Sequence, residues 1–188
     1  MSRQLILVRH SLPEVKEALP AREWSLSAEG RSRAERLAGF LERHQARILV
    51  TSPEPKARET AEILAGRLQL PLQVTSDLHE HERDSIPYLS KREFEAAINE
   101  FFERPDTLIF GNETADQAHE RFSRAVKSIL SANNNSKIAI VAHGTVISLF
   151  VARLTGLSGF EIWTQLGLPS FVVLDLQSKD LIMLENIS

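Results

Sequence analysis

Two uninterrupted apolar runs, Leu5-Ile6-Leu7-Val8 and Ile138-Ala139-Ile140-Val141-Ala142, constrain the fold of this 188-residue chain more than any other feature. A strand with one wet face alternates apolar and polar residues. A run without alternation needs cover on both faces, which is the situation of a parallel sheet between two layers of helices. Ile48-Leu49-Val50 is a third such run, and Leu72-Gln73-Val74 is a shorter strand candidate. Between the runs the apolar spacing turns helical. Ala34, Leu37, Ala38 and Leu41 behind a Ser27 cap predict a helix over about 28–44. Ala57, Ala61, Leu64 and Leu68 predict a second, with Ser52 as N-cap and Pro53 in the first turn. A Thr114 and Gln117 capping box opens a third, with Ala118, Phe122, Ala125, Val126 and Ile129 inward, and Asn133-Asn134-Asn135 then turns the chain. A helix over about 145–154 follows the last long run, and Phe171 to Leu176 with Leu181 to Glu185 read as a closing strand pair. Strands alternating with helices predict an α/β three-layer sandwich: a mostly parallel, doubly wound sheet with helices on both faces.

One domain over residues 1–188 is expected, with a small cap-like insertion at about 82–112. Ser90 and Glu93 make a capping box there, and Phe94, Ala97, Ile98, Phe101 and Phe102 form an apolar stripe. Such a helix serves as a cap over a site or packs against the main body. Composition narrows the function classes. Hydrophobic residues at 43% and charged residues at 25% belong to a folded globular chain. The net charge of −3 provides no global positive field for nucleic acid. The absence of cysteine removes disulfides, thiol nucleophiles and thiolate metal sites together. The apolar run after Met1-Ser2-Arg3-Gln4 is too brief for a signal peptide or a membrane span, so the expectation is a cytoplasmic protein without membrane contact.

In open α/β sheets, ligands bind outside the carboxyl ends of the strands. The first and last long runs end there on Arg9-His10 and His143-Gly144. A lone histidine after a strand is usually structural; two, with an arginine beside one of them, are less ordinary. His79-Glu80-His81-Glu82 invites a metal reading, because alternate residues of an extended segment share one side. An isolated His-x-His still needs ligands from elsewhere, so a solvated polar loop is preferred.

Leu7-Val8-Arg9-His10 resembles the opening motif of the histidine phosphatase superfamily, the phosphoglycerate mutase-like fold, whose usual form is Arg-His-Gly. Leu26-Ser27-Ala28-Glu29-Gly30 is similar to the family's Leu-Thr-x-x-Gly helix start. Thr51-Ser52-Pro53 with Glu59-Thr60-Ala61 resembles its Ser-Ser-Pro and x-Thr-Ala segment. Leu78-His79-Glu80 fits Leu-x-Glu, Gly111-Asn112-Glu113-Thr114 approximates Gly-x-Glu-Ser, and Val141-Ala142-His143-Gly144 fits the second histidine motif. The elements occur in family order over most of the chain. The resemblance implies His10 as nucleophile, Arg9 and His143 as phosphate-binding groups and Glu80 as general acid and base. No metal or other cofactor is implied. Glu82, two residues along, competes with Glu80, which is preferred on the Leu-x-Glu spacing.

Two positions depart from the family pattern. Lys56 stands where the motif has arginine, which keeps the charge and loses the bidentate fork. Arg58 lies roughly 200° around the helix from it and points elsewhere. Ser11 stands where glycine is usual and offers a hydroxyl to phosphate. The expectation is a metal-independent phosphatase that hydrolyses a phosphomonoester through phospho-His10, acting on a small phosphorylated metabolite or a phosphoprotein. Phosphoglycerate mutase-type transfer is the nearer alternative, though mutases of the family carry longer insertions. A phosphate- or phosphopeptide-binding member without turnover is the other. Lys16, Arg22, Arg83, Lys91 and Arg92 are available as second anion contacts, with solvated surface charge as the default for each.

Overall fold

The computed structural model describes residues 3–134 and 136–188. Met1, Ser2 and Asn135, and with it part of the expected asparagine turn, lie outside the described residues. The chain runs β1 (Gln4–Arg9), α1 (Ala28–Glu42), β2 (Ile48–Thr51), α2 (Pro55–Leu68), β3 (Leu72–Val74), α3 (Lys91–Glu103), α4 (Ala115–Ala132), β4 (Ile138–Ala142), α5 (Gly144–Thr155), α6 (Gly159–Gln165), β5 (Ser170–Asp175) and β6 (Asp180–Asn186). Short 3-10 turns occupy Ala21–Glu23 and Ser76–Leu78.

All six strands form one sheet in the order β3-β2-β4-β1-β5-β6. The first four are parallel, and β5 and β6 add an antiparallel pair at one side. This is the α/β three-layer sandwich with a mostly parallel sheet. The long apolar runs are its central strands, β1 and β4, paired in register from Leu5 against Ile138 to Arg9 against Ala142. Their side chains divide between two cores, as burial on both faces requires. Ile6, Val8, Ala139 and Val141 pack with Leu37, Leu41, Ala61 and Leu64 of α1 and α2. Leu5, Leu7, Ile138 and Ile140 pack on the other face with Phe122 and Val126 of α4 and Val146 and Ile147 of α5.

The helix starts follow the capping chemistry, with one correction. Ser27, Ser90 and Thr114 each accept the N3 backbone N–H of the helix they precede, the latter two in full capping boxes. α2 begins two residues later than expected: Glu54 is its N-cap and Pro55 its first helical residue. Ser52 is therefore free of the capping role and turns to the site. α6 was not expected from the sequence; it is a two-turn helix capped by Ser158. In the 82–112 segment, α3 is anchored in the body through Ile98 and Phe101. The residues ahead of it reach the carboxyl end of the sheet.

Candidate active site

β1 and β4 are neighbours, and the helices that follow them pack on opposite faces of the sheet, so a crevice opens beyond their carboxyl ends. His10 and His143 stand at that crevice with ring centroids 5.1 Å apart. The His10 backbone N–H continues the ladder by donating to the Ala142 carbonyl at 3.0 Å. Its ring Nδ1 lies 2.7 Å from the Ser11 carbonyl oxygen. A carbonyl only accepts, so Nδ1 carries the proton and Nε2 of the neutral ring keeps its lone pair. Burial pushes the His10 pKa well below 6.5, and His143, Lys56 and Arg9 press it the same way. His143 is held down in turn by burial and by Lys56. Both imidazoles are neutral at pH 7.

Arg9 leaves the sheet toward the same crevice. Its Nη1 donates to the Leu166 carbonyl, while its Nε is buried without a hydrogen-bond partner among the described residues. Burial lowers its pKa to about 10, so it remains a cation. Gly144, the first residue of α5, makes room for it: a Cβ there would lie 2.9 Å from Arg9 Nε and 3.0 Å from Cζ.

Glu80 arrives from the loop after the Ser76–Leu78 turn. Its carboxylate accepts backbone N–H bonds from Thr145 at 3.2 Å and Val146 at 3.3 Å, in the first turn of α5, and from His81 at 3.0 Å. Burial alone would raise its pKa, but Arg83, His143 and the His81 N–H outweigh burial and hold it below the ordinary 4.5. Arg121 supports the loop from behind, donating to the Asp77, His79 and Glu80 carbonyls and pairing with buried Glu113 at 2.6 Å. Glu82 is turned outward onto His79 at 3.1 Å and stays at the surface.

Several expected roles take a different form. Lys56 is buried at the site, but its Nζ is paired with Glu54 and donates to the Ala21 carbonyl at 2.7 Å. Glu54 itself is an unanticipated member: its Oε1 accepts the Glu80 backbone N–H at 2.7 Å and lies 3.6 Å from His143 Nε2. The Ser11 hydroxyl does not face the crevice; it donates to the Gly30 carbonyl at 2.7 Å, and its backbone N–H donates to Thr60 Oγ1. Ser52 takes the polar place near the rings, 2.8 Å from His143 Nε2. Arg58 pairs with Glu62 at the surface, away from the site.

The His79–Glu82 stretch is not uniformly solvated. His81 is buried between Phe101 and Phe110, at centroid distances of 4.3 and 4.8 Å, and its Nε2 lies 3.2 Å from the Glu113 carbonyl. His79 and His81 thus face different surroundings. Among the described residues no group of three or more His, Cys, Asp or Glu side chains is placed to hold a metal ion.

Arg83 belongs to the site rather than to the surface. Its guanidinium stacks 4.8 Å over the Phe94 ring, its Nη1 is buried without a hydrogen-bond partner among the described residues, and its charge acts on Arg9, Lys56, Glu80 and His143 alike. Arg9, Lys56 and Arg83 against Glu54 and Glu80 leave the centre one net positive charge, beside two neutral imidazoles. Such a centre suits an oxyanion. No helix among the described residues is long and apolar enough to cross a membrane.

Set beside known proteins, residues 5–185 match the family model described as histidine phosphatase superfamily (branch 1). The chain is 27% identical over 131 residues to a Bacillus subtilis (strain 168) protein named as an uncharacterized phosphatase, PhoE, a match covering 70% of this chain and 65% of that protein. It is 26% identical over 147 residues to the adenosylcobalamin/alpha-ribazole phosphatase of Escherichia coli (strain K12), covering 73% and 70%. Just under two thirds of the first relative is therefore spanned. A mycobacterial glucosyl-3-phosphoglycerate phosphatase solved with VO3 superposes with a TM-score of 0.79 at 22% identity, over 99% of this chain and 100% of that one. A phosphoserine phosphatase from Entamoeba histolytica, solved with 3-phosphoglyceric acid, gives 0.79 at 18% identity over 97% and 96%. At these identities the structural likeness is one of fold.

Proposed function

The chain belongs to the histidine phosphatase superfamily (branch 1), and from that premise we propose that it is a phosphomonoesterase working through a phosphohistidine on His10. The observation that carries the reading is the pair of buried, neutral imidazoles at the ends of adjacent strands, with His10 Nδ1 tied to a carbonyl and Nε2 left nucleophilic. The names of the curated relatives, both phosphatases, support it.

In this mechanism His10 Nε2 attacks phosphorus, a P–N bond forms, and the bond from phosphorus to the alcohol oxygen breaks. The protonated form of Glu80 gives its proton to the departing oxygen. Water then attacks the phosphohistidine, Glu80 takes a proton from it, the P–N bond breaks, and inorganic phosphate leaves. Arg9 and Arg83 hold the phosphoryl oxygens, with His143 donating to them; Lys56 joins when Glu54 releases it. No step calls on a metal or another cofactor.

The test is turnover of p-nitrophenyl phosphate with EDTA present, together with acid-labile phosphate trapped on the protein by rapid quench. Wild type should turn over and trap; His10→Ala should do neither. An unchanged rate in His10→Ala overturns the mechanism. A phosphate-binding member without turnover is the second reading, motivated by a Lys56 already matched to Glu54. It predicts phosphate binding by calorimetry and no release from any ester; steady-state turnover that depends on His10 removes it.

A further inference from the structure

A cleft of about 390 Å3 opens in front of Lys56, Glu80 and Arg83. Val15, Leu19 and Trp24, from the loop after His10, line one wall; Ile86, Tyr88 and Phe94, from the 82–112 segment, line the other. Val15, Leu19 and Tyr88 are 51, 41 and 55% exposed. A single exposed leucine needs no explanation, but large apolar side chains from two distant segments facing one cleft form a binding surface. That surface is built to keep its shape. Trp24 Nε1 donates to the Lys16 and Leu19 carbonyls at 3.0 and 3.1 Å, and Pro13 bridges to Leu26 at the neck of the loop. Arg22 and Asp84, 2.6 Å apart, join the two walls.

The charges decide what fits. The two cations that line the cleft away from Lys56 and Arg83 are each paired with a carboxylate, Arg22 with Asp84 and Lys91 with Glu95 at 3.8 Å, while Lys16, paired with Glu14 at 3.3 Å, and Arg92 are not part of its lining. Glu17 adds a further negative group to the rim. At the inner end Lys56 and Arg83 are opposed by Glu54 and Glu80, and Arg9 at the end of β1 leaves the adjoining centre its one net positive charge, with Arg83 over Phe94. The cleft therefore meets a net-positive centre at one end and is apolar along its walls, at a size that holds a small metabolite.

We propose that this cleft receives the alcohol part of the substrate and selects monophosphate esters of apolar, ring-sized alcohols over esters carrying a second anionic group. The proposal rests on the phosphatase reading and names its substrate class. Phosphoglycerate and other carboxylated esters meet Glu17, and the two rim cations that line the cleft, Arg22 and Lys91, are already paired.

Calorimetric titration with three non-hydrolysable phosphonates tests this directly: 3-phenylpropylphosphonate, methylphosphonate and 4-phosphonobutyrate. The phenylpropyl compound should bind wild type at least about tenfold more tightly than either of the others. In the double variant Leu19→Ser, Tyr88→Ser, with folding checked by its melting curve, that preference should fall to about twofold or less. Equal affinities, no binding of any of the three, tighter binding of 4-phosphonobutyrate, or a preference that survives the double substitution overturns the proposal. A wild type that prefers the phenylpropyl compound and never hydrolyses p-nitrophenyl phosphate keeps the ligand class and loses the phosphatase reading. Turnover without the preference does the reverse.

Discussion

The Glu54 carboxylate lies 3.6 Å from Nε2 of His143, a ring that the proposed mechanism directs at a phosphoryl oxygen. An anion built into an anion site competes with the ligand and also occupies Lys56. Glu54→Gln keeps an acceptor for the Glu80 backbone N–H, removes the charge and frees the lysine. Inhibition by inorganic phosphate should strengthen by about tenfold, since roughly 4 kcal/mol separates two unit charges 4 Å apart at an effective dielectric of 20, and reorganisation recovers part of that. Inhibition constants for phosphate in wild type and variant decide it; equal constants would mean that Glu54 withdraws at no cost when phosphate enters.

Gly144 is needed for Arg9 rather than for its helix. The added methyl of Gly144→Ala would press on the end of the Arg9 side chain, at Nε and Cζ, and not on backbone. The guanidinium should be displaced while α5, which gains helix propensity, stays folded. We expect kcat/KM for p-nitrophenyl phosphate to drop by about 10²-fold, the usual consequence of a misplacement near 1 Å. The melting temperature should move by no more than about 4 °C. A large loss of stability with the rate preserved would contradict this division.

The depressed Glu80 carboxyl imposes a pH profile that depends on the leaving group. His10 is neutral down to well below pH 6.5, so it sets no limit near neutrality. Glu80 is mostly ionised in the free protein above the ordinary carboxyl range, and only its protonated form can donate. For an alkyl phosphate, whose alkoxide needs that proton, kcat/KM should fall as pH rises from about 5 to about 8; for p-nitrophenyl phosphate it should stay nearly level. In kcat/KM, which runs only to the phosphohistidine, Glu80→Gln should cost the alkyl ester about 10² to 10⁴-fold and the nitrophenyl ester much less, while Glu82→Gln changes either by less than about twofold. Equal losses in Glu80→Gln and Glu82→Gln would end the assignment to Glu80.

His81 makes the fold acid-sensitive. Burial between Phe101 and Phe110, assisted by Arg83, lowers its pKa from 6.5 to about 4. Between those values the unfolded chain binds a proton that the folded one refuses. The stability contributed is whole above about pH 6.5 and is lost as pH falls towards 4, amounting to about 3 kcal/mol in all. Thermal unfolding of wild type and His81→Leu from about pH 4.5 to 7.5 should show a shallower slope in the variant. Parallel slopes would assign the acid sensitivity to His10 and His143 instead.

The order of strands and helices was legible because burial on two faces leaves an uninterrupted apolar run, and the runs here are short and bounded by polar residues, as strands are. The two histidines were legible for the same reason, as polar residues that stop such runs. Glu54 was not: inside a motif matched by its neighbours it has no spacing signal, and its importance comes from a loop some 26 residues on, whose Glu80 N–H it accepts. Ser11 misled because position beside a reactive residue does not fix side-chain direction; the hydroxyl found Gly30 across the crevice wall. In sequence Arg83 is indistinguishable from a surface charge, since only the three-dimensional meeting of its loop with Phe94 places it inside. Lys56 kept its position and changed its meaning once its partner was visible.

The proposed nucleophile and the walls that would choose its substrate belong to different parts of the fold. His10 hangs from the two central strands, whose amides are covered by helices on both sides, whereas Val15, Leu19 and Tyr88 sit on connecting segments tied together by surface contacts such as the one between Arg22 and Asp84. Hydrogen exchange should therefore find the slowest amides directly beneath the reacting ring and fast ones along the rim. Substitutions at the rim can accumulate with little effect on global stability, so new specificities can be explored on an unchanged reactive centre.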